Sequence, residues 1–438
     1  MKNLYAACVL VVMTIALSQF AAAEAQSYRA HLTTCADLAE MADVIVVGTI
    51  DRIENVTLRE AGVDAARHKR INDGSIQDGE ENIRRDAVIT VDRVLKGVVQ
   101  DEERFVSIRQ LKKSAYDEDL QTGEAIYFLY TREDGLKALI SDERGTISPN
   151  EVGGQLTDAI DFVSTFISSG YDRQAIAGNL LDQIKLNGNR LSIDACIELS
   201  WAHDSYSLNE IQKQRLSALL MGSKSGSRER NELLTAVGRH APEGALNTLL
   251  TVMFADNVWS TTSLGAMSLE YVDRGAAIVE LLARFENAGS DQERMVAIRA
   301  LGLIRPKNGH DGVELRTRTL NAIKSLLNAE TNKDLLREAL IASRDMRSQD
   351  AHVAELKALI AGRKTNGLNS PEVHAAIIAL AAARLPIEGD RSGLQRGVIA
   401  KEFLDEVGVA EPILKQIVDS ALKSPYSTMI IGANGGSH

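Results

Sequence analysis

Three spacings in this chain could carry chemistry. Gly222-Ser-Lys-Ser-Gly226 has the glycines and the ammonium of a phosphate cradle, in which backbone N–H groups hold the anion and the lysine neutralises it. No strand signal precedes it, so it reads as a flexible linker. Ser420-Ala-Leu-Lys423 sets a hydroxyl about one helical turn from an amine, the spacing of an activated serine, but its companion motifs are absent. Asp101-Glu-Glu103 and Asp117-Glu-Asp119 offer the oxygens that calcium takes. They lack the spacing of a calcium-binding loop and read as solvated turns.

The remaining signatures fail. No His-Glu-x-x-His helix, Gly-x-Ser-x-Gly elbow or Gly-x-x-x-x-Gly-Lys loop occurs. His31, His68, His203, His240, His310, His352, His374 and His438 are scattered without metal-ligand spacing. His203 ends a helical stretch, where a cation is favourable, and His374 reads as a satisfied helical histidine. The sequence therefore assigns no catalytic, cofactor-binding or metal-ligating residue, and no cofactor.

The elements that would position any site divide the chain. Residues 1–23 read as a signal peptide: Lys2, an apolar run from Leu4 to Leu17, then Ala21-Ala22-Ala23 for cleavage after Ala23 or Ala25. Its apolar run is shorter than a bilayer requires, and no later stretch is apolar for long enough to span one. A periplasmic or secreted bacterial protein, not inserted in a membrane after cleavage, is the expectation. Cleavage leaves 48 basic against 60 acidic side chains, a balance that opposes nucleic-acid binding. Two cysteines remain, Cys35 and Cys196. Cys196 sits in a helical stretch where Ile193, Ile197 and Trp201 share its face, so two buried free thiols are expected, with a Cys35–Cys196 disulfide as the alternative.

Residues 28–150 carry strand signals. Val44–Ile50 is β-branched and ends near Gly48; Ala87–Leu95, Arg104–Gln110, Ala125–Tyr130 and Leu136–Ile140 follow, the last behind the hairpin dipeptide Asp134-Gly135. Five or six short strands without a strong helix predict a small antiparallel β-barrel or sandwich. Residues 57–85 form a long polar excursion of mixed charge, expected as a mobile hairpin extension, with a binding loop as the alternative.

From 155 to 425 helical signals follow one another. Thr157 is placed as a cap ahead of Ile160, Val163, Phe166 and Ile167; Ser207 with Glu210 forms a capping box ahead of Leu208, Ile211, Leu216, Leu219 and Leu220. First helices of a repeat begin near Ser227, Ser260, Ser290, Thr331 and Ser370, and second helices near Pro242, Asp273, Gly312, Ser348 and Gly393. Ser290 and Glu293 make the clearest capping box, and Val296, Ala297, Ala300, Leu301 and Ile304 the clearest apolar face. Small Ala297, Ala300 and Gly302 would let a neighbouring helix approach closely. Pro242, Pro371 and Pro412 sit at proposed helix starts, and Pro306, Pro386 and Pro425 just beyond proposed ends. The glycine-rich residues 426–438 are expected as a flexible tail.

Two resemblances follow from these motifs. The paired-helix period, strongest at Glu293–Gly302 and weaker at Asp334–Leu340 and Glu372–Leu380, resembles HEAT or armadillo repeats over 227–424. Ala42–Ile50, Val88–Gly97 and Gly123–Tyr130 resemble the OB-type barrel of netrin-like and metalloprotease-inhibitor domains. Such inhibitors present an N-terminal cysteine to a protease zinc. Cys35 is not at the mature N-terminus, so that activity is not carried over. The resemblances imply an α+β multidomain chain, a small antiparallel OB-like β-barrel followed by an α-solenoid of HEAT-like helix pairs. Its expected function is a non-enzymatic interaction scaffold that binds a protein partner along the solenoid; the alternative is a regulator or inhibitor of an exported enzyme, acting through the barrel.

Overall fold

The computed structural model describes residues 33–57, 83–99, 102–106, 123–133, 137–140, 144–256, 258–306, 311–329, 332–346, 350–362, 371–383, 403–405 and 412–423. The chain divides into two compact units, Met1–Gln212 and Lys213–His438. Residues 1–23, the tip of the polar excursion, His31, His68, His310, His438, Asp117-Glu-Asp119, Asp134-Gly135 and the tail lie outside the described residues.

Among the described residues the first unit starts with a helix the strand pattern did not announce, α1 (Cys35–Met41), seven residues long. It forms because Thr34 and Asp37 cap it reciprocally: the Thr34 hydroxyl accepts from the Asp37 N–H at 3.2 Å and Asp37 accepts from the Thr34 N–H at 3.1 Å. Six strands follow, β1 (Val44–Thr57), β2 (Ile83–Lys96), β3 (Glu102–Val106), β4 (Glu124–Thr131), β5 (Lys137–Leu139) and β6 (Thr146–Ile147). β1 pairs antiparallel with β2 from Ile45 opposite Lys96 to Thr57 opposite Ile83. The ends of the expected excursion, at 57 and 83–85, are thus ladder rather than loop. β1 also pairs with β4, Val44 opposite Leu129. Gly48 sits at a register shift, and a Cβ there would collide with the Thr90 carbonyl of β2.

One sheet face buries Val46, Ala87, Ile89, Ala125, Tyr127 and Leu129 in a single apolar cluster. The other face of β4 is buried too, at Ile126 and Phe128, because α1 packs against β4 and α2 (Thr157–Ser168) against β2. Burial on both faces gives β4 a continuous apolar run instead of alternation.

The expected closed barrel is corrected to a small, open, mainly antiparallel sheet. β3 and β5 meet at one parallel pair, Val106 opposite Ala138, and β5 has only three residues. That is too little strand to carry a ladder around a closed barrel. Glu103 is corrected as well. It is no solvated turn but a buried residue of β3, ion-paired with Lys137 of β5.

After a short 3-10 turn, Pro149–Val152, come α2, α3 (Ala177–Gln183) and α4 (Arg190–Trp201). Ala159, Phe162, Val163 and Phe166 form the buried face of α2; Ile160 and Ile167 are only half-buried. α5 (Glu210–Gly222) starts two residues later than the expected box. Asn209 and Gln212 cap it reciprocally, each accepting from the other's N–H at 3.0 Å. Ser207 is unavailable because its N–H and C=O are both bound to the Gln174 side chain. Ile211, expected inside, is exposed.

The second unit is helical among its described residues: α6 (Arg228–His240), α7 (Ala245–Asp256), α8 (Trp259–Val272), α9 (Arg274–Glu286), α10 (Asp291–Ile304), α11 (Val313–Ala329), α12 (Lys333–Asp345), α13 (Asp350–Gly362), α14 (Pro371–Ala383) and α15 (Pro412–Lys423). Local signals fix the starts. Ser227, Asp273, Ser290 and Asn332 accept N–H groups of the first turn, and Pro371 and Pro412 stand at the first helical position. At Ser290 the box is displaced: Glu293 reaches Gly289 N–H at 2.8 Å instead of Ser290 N–H. The region near Gly393 lies outside the described residues.

These helices pack in a solenoid-like way. α6, α8, α10, α12 and α14 form one layer, each against the next, and α7, α9, α11 and α13 back that layer. Leu340 of α12 and Leu380 of α14 share one buried apolar cluster with Leu356 of α13 and Leu414 of α15. Gly302 brings α10 against α12, where an added Cβ would stand 2.7 Å from the Ala342 Cα. Gly238 does the same for α6 against Ser268 of α8.

Candidate functional site

Two places in the described structure gather side chains that ordinary packing does not require. The first lies in the first unit, around α4. Arg190, Asp194 and Glu198 recur every fourth residue and so share one helix face. That face is buried, each of the three being less than a tenth exposed. The face read from the sequence is buried as well, fully at Cys196 and Ile197 and in part at Ile193. Trp201, expected in the core, is 48% exposed, whereas Cys196 is fully buried as expected.

The buried carboxylates are met by α1 and by the loops around it. Asp194 accepts from the backbone N–H and the thiol of Cys35, both at 3.1 Å, and pairs with Arg144 and, at 3.7 Å, with Arg190. Arg190 also pairs with Glu151 at 3.0 Å and donates to the Arg144 carbonyl at 2.5 Å. Glu198 accepts from the Thr34 hydroxyl, from Tyr206 at 2.7 Å and from Arg173 at 3.4 Å. Arg173 further holds Asp37 at 2.6 Å and Glu40 at 3.1 Å.

Electrostatics set what this cluster can do. Burial, and then the Asp194 charge, push the Cys35 thiol well above its ordinary value. It is therefore a protonated donor, the opposite of an activated nucleophile. Burial and then Asp37 push the Glu198 carboxyl upward, against the opposing pull of its hydrogen bonds. The cavity between Cys35, Phe162, Leu180, Asp194 and Glu198 measures about 10 Å³, room for one water and no substrate. Cys35 and Cys196 are both free thiols. Among the described residues no group of three or more His, Cys, Asp or Glu side chains is arranged to hold a metal ion. The arrangement is a polar clasp that fastens α1 to α4.

The second place is the open side of the second unit's first layer. α8, α10 and α12 each have layer neighbours on two sides and α7, α9 or α11 behind them. On the remaining side of each, Met267 and Tyr271 of α8 are exposed, whereas Met295, Arg299 and Leu303 of α10 and Arg337, Ile341 and Arg344 of α12 are only part-exposed. Met267 is 49% and Tyr271 55% exposed. Arg239, near the end of α6, lies over the Tyr271 ring at 5.3 Å.

The chain matches no family model, and no curated protein matches it.

Of the singled-out residues that lie among the described ones, none are brought together in a reactive centre. Gly222 ends α5, Lys224 is exposed, and Ser223 is buried under the Arg230 guanidinium, which it accepts at 3.0 Å. The segment is a turn between two helices, with no strand before it. Ser420 is exposed on α15. His203 meets Asp204 at 3.1 Å. His352 and His374 are buried. Sequence reasoning missed both the clasp and the open strip. The every-fourth-residue run Arg190, Asp194, Glu198 was a usable signal, but charges on a helix are read as solvent-facing by default. Among the described residues no helix is long and apolar enough to cross a membrane.

Proposed function

We propose that the chain is an exported interaction scaffold without a reaction of its own, whose second unit is a HEAT-like helical repeat that binds a protein partner. The observation that carries this reading is the open strip of α8, α10 and α12. A repeat array buries its core between neighbours and leaves one side of a layer uncovered over several helices, a surface suited to an extended partner. Its residue types, arginine, methionine and tyrosine, are those enriched in protein interfaces. Export rests on the N-terminal Lys2 and the apolar run from Leu4.

The test is photo-crosslinking of the full chain in its native cell, with a crosslinking amino acid placed at Met267 or Met295. A discrete crosslinked protein, recovered from both positions and not from the backing helices at Val279, supports the scaffold. Crosslinks that are equal at Val279, or none at any position, overturn it.

A further inference from the structure

We infer that β1 of the first unit pairs with β1 of a second copy of this chain, antiparallel and centred on Ile53; this goes beyond the scaffold reading and does not depend on it. β1 has strands on both sides only over its first part. Its β4-side edge is paired from Val44, opposite Leu129, to Thr49, opposite Glu124. Its other edge is paired with β2 as far as Thr57, opposite Ile83. From Ile50 to Thr57, β1 therefore has a strand on one side alone among the described residues. β3 covers β2 only from Asp86 to Thr90. The far end of β1 and β2 is, among the described residues, a two-stranded ribbon. Such a ribbon is marginal by itself, and the N–H and C=O groups along its outer edge are a template for another strand.

The residue order names the strand that fits. Thr49-Ile-Asp-Arg-Ile-Glu-Asn-Val-Thr57 shows the same succession of residue kinds in either direction from Ile53. Two antiparallel copies related by a two-fold axis set residues at equal distances from the axis opposite one another. With the axis at Ile53, Arg52 stands opposite Glu54 twice, Asp51 opposite Asn55, and Ile50 opposite Val56. Opposite charges meet, polar meets polar and apolar meets apolar, the pairings that stabilise a ladder. A slip removes the match: an axis between Arg52 and Ile53 sets Asp51 opposite Glu54, and one at Arg52 sets Glu54 opposite Ile50. The outer edge of β2 offers no such register, because an axis at Arg84, at Arg85 or between them sets arginine against arginine. The register shift between Ile50 and Arg52 makes Asp51 a bulge, which falls on the polar pair and outside the central match of Arg52, Ile53 and Glu54. Arg52 meets Asp51 at 2.8 Å with both side chains partly exposed, a contact weak enough to exchange for Glu54 of the second copy.

The experiment is sedimentation of the full chain over about a hundredfold range of concentration, where mass action reveals a monomer–dimer equilibrium. Arg52→Glu sets glutamate opposite Glu54, and Glu54→Arg sets arginine opposite Arg52. Each variant alone should therefore dimerise about tenfold or more weakly than the native chain. Mixed in equal amounts, the two variants present only opposite charges across the axis. They should associate with each other about as well as the native chain does with itself. A folding defect in either variant cannot produce recovery on mixing, and circular dichroism of each checks the fold separately. A native chain that stays monomeric throughout, single variants that dimerise as the native chain does, or a mixture no better than its components would overturn the inference.

Discussion

Asp194 shows how much one buried side chain can hold. It takes two hydrogen bonds from Cys35 and faces two guanidinium groups, with 4% of its own side chain exposed. Removing it leaves Arg190 buried without its i,i+4 partner and Arg144 nearly so. Breaking one side of a buried pair costs about 3–5 kcal/mol, and the 15% exposure of Arg144 places this case toward the lower end. Asp194→Ala should lower the urea midpoint accordingly; a loss below about 1 kcal/mol would show that the clasp is not what fastens α1. His352 is the second case. Its Nε2 faces the Leu320 carbonyl at 2.9 Å and its Nδ1 the Ser343 hydroxyl at 3.1 Å, so neutral imidazole donates at Nε2 and accepts at Nδ1. Burial lowers its pKa, against the upward pull of the Leu320 carbonyl and Glu355; Lys324 and Arg316 lower it further. The unfolded chain then binds a proton that the folded one refuses. Stability from this group is complete above the unfolded value near 6.5 and is lost as pH falls below it, by at most about 1.4 kcal/mol per pH unit. His352→Gln keeps a donor and an acceptor but does not titrate. Thermal melts between pH 7 and 5 should therefore fall less steeply for the variant, and identical slopes would remove His352 as the cause.

At the scale of the element, what was legible was local. Ser290 caps where it was placed, and Ser227 and Asp273 cap the helices expected to begin near them, because a cap is decided by the residue and the next three; Thr157, placed as a cap, is instead the first helical residue, after Leu156, with no side-chain cap. The apolar face of α10 is buried in full, as its spacing required. What was not legible depended on partners distant in sequence. α1 is too short to show a period, and it is secured by a capping box and by Asp194, 159 positions away. Whether the strands would close depended on how few residues β5 offers to β3. Trp201 and Ile211 face solvent because large apolar residues near helix ends carry no directional signal of their own. The glycines were half legible: Gly302 was expected at a close approach, but its contact atom was not knowable. Its test is a comparison. Alanine gains about 1 kcal/mol over glycine inside a helix. At Gly302 the new Cβ meets Ala342 backbone at 2.7 Å, and separating two packed helices costs about 1–3 kcal/mol. Gly302→Ala should therefore destabilise. At Gly265 the obstacle is the Met253 side chain, its Cγ at 2.4 Å and its sulfur at 2.5 Å, which can change rotamer where backbone cannot. Gly265→Ala should be neutral or stabilising. The same sign for both in a chemical melt would refute this account of helix contact.

At the scale of the second unit, the pattern of neighbours decides how stability is distributed. α12 packs against α10, α11 and α14, and α6 against α7 and α8. A helix in such an array senses a distant defect only through those between, so stability is close to a sum of local terms. Leu340 is fully buried in the cluster shared by α12, α13, α14 and α15. Leu340→Ala should cost about 2–5 kcal/mol at that cluster, the range depending on how far α14 can settle into the space. The loss should not be shared evenly. Amide exchange in α12 and α14 should quicken by the full amount, α10 by less because it keeps the Gly302 approach and the Arg299–Glu338 pair to α12, and α6 hardly at all. A closed globular core would instead report one lost free energy at every slow amide. Native-state hydrogen exchange on Leu340→Ala separates the two: graded protection loss from α14 back to α6 is the outcome of neighbour-only packing, and uniform loss across α6–α14 would mean that these helices share a single cooperative core and that the open strip belongs to a body of a different kind.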